Sequence, residues 1–196
     1  MGAIFFMRIT SGSLKSRVIK DPRHIRPTQD KVRKGLFDTI RAAVPDSNFL
    51  DLYAGSGAVG IEALSNGAKE AVFVEKDNRC HKIIRDNMVQ LGLMSKSESL
   101  RENASILSID ALRAIGVLSK SNKKFDIIFL DPPYYKDLAK KALQKLSACD
   151  ILAPSGLVVA EHSKKDDLGN NFGDLTCFKQ KRYGDTYLSF YSKSLQ

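Results

Sequence analysis

The chain has 196 residues, 43% of them hydrophobic and 27% charged, the make-up of one ordinary globular domain and not of a disordered tail. No apolar run reaches the ~18 residues that a membrane-spanning helix needs, and residues 1–7 lack the basic flank of a secretory signal. Phe6 at the sixth position argues against N-myristoylation. A cytoplasmic protein with no membrane partner is expected. Three cysteines without a C-x-x-C pair and three dispersed histidines signal neither a disulfide framework nor a metal site. The net charge of +9 favours a polyanionic partner, although a merely solvated basic surface accounts for charge taken by itself.

The positive charge is concentrated at the amino-terminal end. Residues 1–48 hold ten basic and four acidic side chains, so six of the nine net charges lie there. Short β-like stretches over 7–10 and 17–20, separated by Ser11-Gly12-Ser13 and followed by Asp21-Pro22, predict a small hairpin. A helix follows, capped by Thr28. In it Val32, Leu36, Phe37 and Ile40 recur at helical spacing, with Lys31, Arg33, Lys34 and Arg41 assigned to the other faces. Pro45-Asp46-Ser47-Asn48 ends it. Residues 1–48 therefore read as a basic arm and helix, and 49–196 as the main domain.

From Phe49 onward, short apolar runs alternate with helical periodicity, the pattern of a mostly parallel sheet flanked by helices. Strands are predicted over 49–53, 71–75, 105–109, 125–130 and 157–161, and helices over 58–65, 77–90, 110–118 and 136–146. The end differs: stretches 174–181 and 186–192, separated by Arg182-Tyr183-Gly184-Asp185, predict an antiparallel hairpin on the sheet edge. The fold class is α/β and Rossmann-like, with a mostly parallel seven-stranded sheet.

The first strand of that domain runs into Asp51-Leu52-Tyr53-Ala54-Gly55-Ser56-Gly57-Ala58-Val59-Gly60. Glycines here let the backbone approach a nucleotide-like ligand and let the helix pack closely on the strand. The spacing also fits a dinucleotide fold or a plain strand-to-helix turn. Glu75, closing the next strand, stands where a carboxylate can accept both hydroxyls of a ribose. Asp51 would repel a pyrophosphate and suits a cationic ligand. S-adenosylmethionine has a ribose for Glu75 and an ammonium for Asp51.

The fourth strand ends in Asp131-Pro132-Pro133-Tyr134, the most specific motif in the chain. The exocyclic amine of a nucleobase is a poor nucleophile, because its lone pair is delocalised into the ring. The Asp131 carboxylate and the Pro132 carbonyl are acceptors that would polarise it, and Tyr134 offers a flat face for the base.

Asp51 to Gly60 and Asp131 to Tyr134 together resemble the cofactor loop and catalytic tetrad of class I methyltransferases that modify nucleobase amines. Arg8-Ile9-Thr10-Ser11-Gly12, Arg26-Pro27-Thr28-Gln29-Asp30-Lys31-Val32-Arg33, Leu36-Phe37 and Tyr183-Gly184-Asp185-Thr186 further resemble the bacterial RsmD family, from residue 7 to about residue 191. The resemblance implies methyl transfer from S-adenosylmethionine to N2 of a guanine in 16S ribosomal RNA. It further implies a monomer that meets its substrate within a small-subunit assembly particle and has no metal. It assigns Asp51, Gly55 and Gly57 to the methionine part of the cofactor and Glu75 to its ribose. Asp110 with Ala111 is placed at the adenine, though Asp110 also fits a helix N-cap. Asp131, Pro132 and Tyr134 would receive the guanine, and Arg8, Lys15, Arg17, Arg26, Arg33 and Lys34 would hold RNA phosphates. Ser11 and Ser13 depart from the family pattern, which commonly has a further glycine or a bulkier residue there.

Rival readings come from other classes. A DNA adenine-N6 or cytosine-N4 methyltransferase shares the tetrad, but this chain has no large target-recognition domain. An NAD-dependent oxidoreductase accounts for the glycines and Glu75, yet leaves Asp51, the tetrad and the basic arm unexplained. A non-enzymatic RNA-binding module needs only the arm.

Overall fold

The computed structural model describes residues 4–22, 30–94, 103–134 and 136–194. The arm is a two-stranded hairpin in which β1 (Ile4–Arg8) pairs antiparallel with β2 (Val18–Pro22). It starts earlier than the predicted 7–10 because Phe5 and Phe6 also find partners, Asp21 and Lys20. Helix α1 (Asp30–Ile40) follows. The predicted Thr28 cap and Arg26 lie outside the described residues.

The remaining elements are β3 (Asn48–Leu52), α2 (Ala58–Ser65), β4 (Glu70–Val74), α3 (Asn78–Gln90), β5 (Ala104–Leu107), α4 (Ala111–Ser119), β6 (Phe125–Leu130) and α5 (Leu138–Ala148). Then come β7 (Leu152–Ser163), β8 (Asn171–Phe172), β9 (Leu175–Tyr183) and β10 (Thr186–Lys193). They build one sheet in the order β5-β4-β3-β6-β7-β10-β9-β8, parallel from β5 to β7 and antiparallel beyond. The sheet has eight strands where seven were expected, since a two-residue strand such as β8 is too short to carry a period. Strand β7 begins at Leu152 and not at 157. Pro154 and Gly156 lie in the stretch where its pairing with β6 is irregular, which interrupts the apolar run ahead of 157.

Both faces of the sheet are covered, which is why its strands read as nearly continuous apolar runs. Phe49, Phe73, Ile127 and Val159 pack against α1, α2 and α3, while Leu50, Val72, Ile128 and Val158 pack against α4 and α5. Ile9, Ile19, Val32 and Leu36 belong to the same core cluster as Phe49, so the arm and α1 are fused to the sheet by burial and not tethered beside it. No helix among the described residues is long and apolar enough to cross a membrane.

One polar cluster fixes the arm. Glu62 on α2 is 1% exposed and accepts hydrogen bonds from the amide and hydroxyl of Thr10 and of Ser11, at 2.7 to 3.0 Å. Arg33 Nε donates to the same carboxylate at 3.3 Å, and its Nη2 donates to the Arg8 carbonyl at 2.7 Å and to Asp30 at 2.8 Å. The expectation that Arg33 faces RNA is therefore corrected: this guanidinium is 1% exposed and internally paired. Helical geometry supplies the reason. Arg33 stands three, four and seven residues before Leu36, Phe37 and Ile40, on the stripe that packs inward. At the tip of the arm, Gly12 has φ of +79°, and a Cβ there would lie 1.9 Å from the Ser65 carbonyl oxygen, so only glycine fits the docked hairpin.

Candidate active site

The site begins at three neighbouring strand ends. Leu52 is in register with Val74 on one side and Leu130 on the other, so Tyr53, Glu75 and Asp131 leave the sheet side by side at the carboxyl edge. From β3 the chain builds outward through β4 and β5, then returns to add β6 and β7 on the opposite side. Such a reversal of strand order opens a crevice where ligands of α/β sheets bind. The tetrad and the glycine loop thus share one rim.

The loop itself is shaped by positive φ at Tyr53 (+65°), Gly55 (+55°) and Gly57 (+78°). Gly60 lets α2 lie against β4, since a Cβ at that position would come within 2.3 Å of the Phe73 ring. Two carboxylates hold the loop from below. Asp51 accepts from the Gly60 amide at 2.9 Å, and Glu75 accepts from the Gly55 amide at 3.0 Å and the Asp77 amide at 2.8 Å. Both are buried, Asp51 to 1% exposure. Burial raises the Asp51 pKa from 3.8 to about 7, opposed by the Gly60 hydrogen bond and assisted by the nearby Glu75 charge.

Because this carboxyl binds its proton more tightly folded than unfolded, it stabilises the fold most below its unfolded value and progressively less as pH rises toward 7. Denaturant unfolding should accordingly show the wild type losing up to about 4 kcal/mol relative to Asp51→Asn between pH 4 and pH 8. Parallel pH profiles of the two proteins would contradict the burial argument.

Asp110 is exposed and caps α4, accepting from the Leu112 and Arg113 amides at 2.9 and 3.4 Å, and Ala111 is buried beneath it as the first helical residue. Asp110 still lies near the loop, since its charge helps raise the Tyr53 phenol to about 12, after burial as the main cause. The Tyr53 hydroxyl is buried with no hydrogen-bond partner among the described residues.

On the other side of the crevice, Asp131 is half-buried, Pro132 buried and Pro133 exposed. The Tyr134 hydroxyl donates to Glu161 Oε1 at 3.1 Å and lies 3.3 Å from Thr186 Oγ1. Pro132, Pro133 and Tyr134 line a cleft with Glu161 and His162 that encloses about 330 Å³, open solvent included. Glu161 escapes sequence reasoning because nothing local marks it, and Thr186 closes the Tyr183-Gly184-Asp185-Thr186 segment without any sign there that it reaches the tetrad. The available signal is topological, as Ala160 is in register with Leu130 and Glu161 thereby neighbours the tetrad.

The predicted RNA-contacting cations divide into separate groups. Lys15 and Lys34 are exposed and line a surface cleft with Arg41 and Asn66, between the arm tip and α1. Arg8 and Arg17 are exposed and donate to the Ser16 and Gln90 carbonyls. The arm tip docks at Ser65, the last residue of α2, so it sits one helix length, roughly 12 Å, from the glycine loop that opens that helix. Among the described residues no cluster of three or more His, Cys, Asp or Glu could hold a metal ion.

A parallel sheet with an antiparallel edge hairpin, reversed beside a glycine loop held by carboxylates, defines the fold of the S-adenosylmethionine-dependent methyltransferases. One such enzyme, from Agrobacterium tumefaciens, shares this fold with a TM-score of 0.68 at 15% identity, over 98% of this chain and 71% of its own. The chain belongs to the RsmD family, residues 7–192 matching the family described as Conserved hypothetical protein 95. Ribosomal RNA small subunit methyltransferase D of Haemophilus influenzae is 31% identical over 83% of this chain and 81% of the relative. The yhhF protein of Escherichia coli, at 26% identity, superposes with a TM-score of 0.81 over 98% of this chain and 100% of its own.

Proposed function

We propose that the chain transfers a methyl group from S-adenosylmethionine to the exocyclic N2 amine of a guanine in 16S ribosomal RNA. It acts as a cytoplasmic monomer on a small-subunit assembly particle. The observation that carries this reading is the alignment of Glu75, the glycine loop and the Asp131 tetrad on three adjacent strand ends. Family membership and the names of the relatives support ribosomal RNA as the substrate. Both halves of the site come from one chain, so no second copy is required to complete it.

The donor set fits the cofactor's chemistry: Glu75 for a ribose diol, Asp51 for an ammonium, and loop amides for its polar tail. When bound, S-adenosylmethionine supplies an activated methyl group on a sulfonium. The chain's own residues do the rest. Tyr134 supports the target base after it leaves its stack, and Asp131 with the Pro132 carbonyl accepts from its amine and aims the nitrogen at the methyl carbon. The amine proton departs to Asp131 or to water once the new N–C bond has formed. Tritium transfer from methyl-labelled cofactor to small-subunit particles lacking this methylation tests the reading, and no incorporation into their RNA would end it. Glu75→Ala should weaken cofactor binding by calorimetry, and normal affinity would remove Glu75 from the ribose site.

The exposed cations Arg8, Lys15, Arg17 and Lys34 bring RNA to the arm face of the molecule, beyond the rim itself. Changing all four to Gln should lower RNA affinity and reduce the slope of log K against log salt by about three to four units if each meets a phosphate. An unchanged slope would show that the RNA approaches from another side.

A further inference from the structure

The contacts to the hydroxyl of the tetrad's aromatic ring come from two other strands, and the carboxylate among them lies in no motif. Glu161, near the end of β7, is 4% exposed, and Thr186, at the start of β10, is 3% exposed, yet both turn polar atoms toward the Tyr134 hydroxyl. Keeping a carboxylate this far from water costs desolvation that an apolar residue of similar size would avoid, so packing does not account for it. Register accounts for its position. Ala160 pairs with Leu130 and Leu188 with Glu161, which sets the carboxylate between the tetrad and the β9–β10 hairpin.

We infer that Glu161 is a positioning residue for methyl transfer: its carboxylate, with Thr186 beside it, anchors the Tyr134 hydroxyl and fixes the plane of the ring before a nucleobase arrives. This rests on the proposed function in taking that ring as the base platform. A tyrosine at the tetrad's last position is then anchored at its far end. Without the anchor the ring keeps its apolar face but gains freedom about its side-chain bonds, and that freedom must be lost again each time a base docks. The anchor should appear in turnover and in the apparent KM for RNA, and not in cofactor binding.

Two measurements on the full-length protein test this. In the first, methyl transfer to small-subunit particles is compared for wild type, Tyr134→Phe, Glu161→Ala, Glu161→Gln and the Tyr134→Phe/Glu161→Ala double variant. Tyr134→Phe and Glu161→Ala should each lower kcat/KM about tenfold, the scale of one hydrogen bond to a charged acceptor, with unchanged cofactor Kd. The double variant should be no worse than either single change, and Glu161→Gln, which keeps an acceptor oxygen, should recover most of the loss. Additive losses, or a neutral Tyr134→Phe, would overturn the inference. The second measurement needs no substrate. With 3-fluorotyrosine incorporated, the fluorine resonance assigned to residue 134 should shift and sharpen in Glu161→Ala as the ring is released, and stay near its wild-type position in Glu161→Gln. A resonance indifferent to Glu161→Ala refutes the anchor even if the RNA assignment itself fails, whereas an inactive wild type with a responsive resonance refutes only the RNA assignment.

Discussion

Asp131→Ala is expected to lower methyl transfer by about 10²- to 10³-fold while cofactor affinity stays within about twofold of wild type, the usual consequence of removing one preorganised hydrogen-bonding group from the reacting centre. Asp131 follows the last residue of β6 directly and is half-buried at the rim, one strand over from the glycine loop. The Gly55 and Gly60 amides of the loop are held by Glu75 and Asp51. That division of labour separates the two readouts. Asp131→Asn keeps an acceptor for the amine but loses the negative charge, so it should fall between wild type and alanine. Equal loss of binding and turnover in Asp131→Ala would show that the residue shapes the crevice and does not act on the base.

Arg33→Met should destabilise the fold by about 3–5 kcal/mol, because it leaves Glu62 as an uncompensated buried charge. For a domain of this size that corresponds to a fall in Tm of roughly 6–20 °C. The polar cluster around Glu62 joins the arm, α1 and α2, so the loss should also expose the arm, read as faster amide exchange in residues 8–18. Salt dependence of RNA binding should change little in conditions where the variant stays folded. The opposite pattern, a stable variant with a flattened salt slope, would return Arg33 to the RNA-contacting surface.

The sequence revealed those parts of the site whose chemistry is local. A strand, a glycine turn and a following helix put Asp51, Gly55 and Gly57 in one segment, and the tetrad needs only four consecutive residues. The strands were likewise readable as short, nearly continuous apolar runs, since both sheet faces are buried and β6 is apolar along most of its length. What sequence could not show depends on contacts across long separations. Glu62 meets residues more than fifty positions earlier, and Glu161 meets the tetrad across 27 positions. Neither has a neighbour in sequence that announces a partner. Arg33 differs for another reason: positive charge on an amphipathic helix predicts exposure, whereas its spacing from Leu36, Phe37 and Ile40 puts it on the buried stripe. Asp110 shows how one residue satisfies two local readings, and the hydrogen bonds of the folded chain make it the cap of α4.

The decisive measurement is the identity of the methylated nucleoside. Small-subunit RNA treated with this protein and isotope-labelled S-adenosylmethionine, digested and resolved by mass spectrometry, should yield a single labelled product, N2-methylguanosine, absent when Asp131 is replaced by alanine. Label appearing instead on adenine N6, on a ring carbon or on a ribose hydroxyl would contradict an account in which the carboxylate and diproline carbonyl at the end of β6 deliver a guanine amine to the donor.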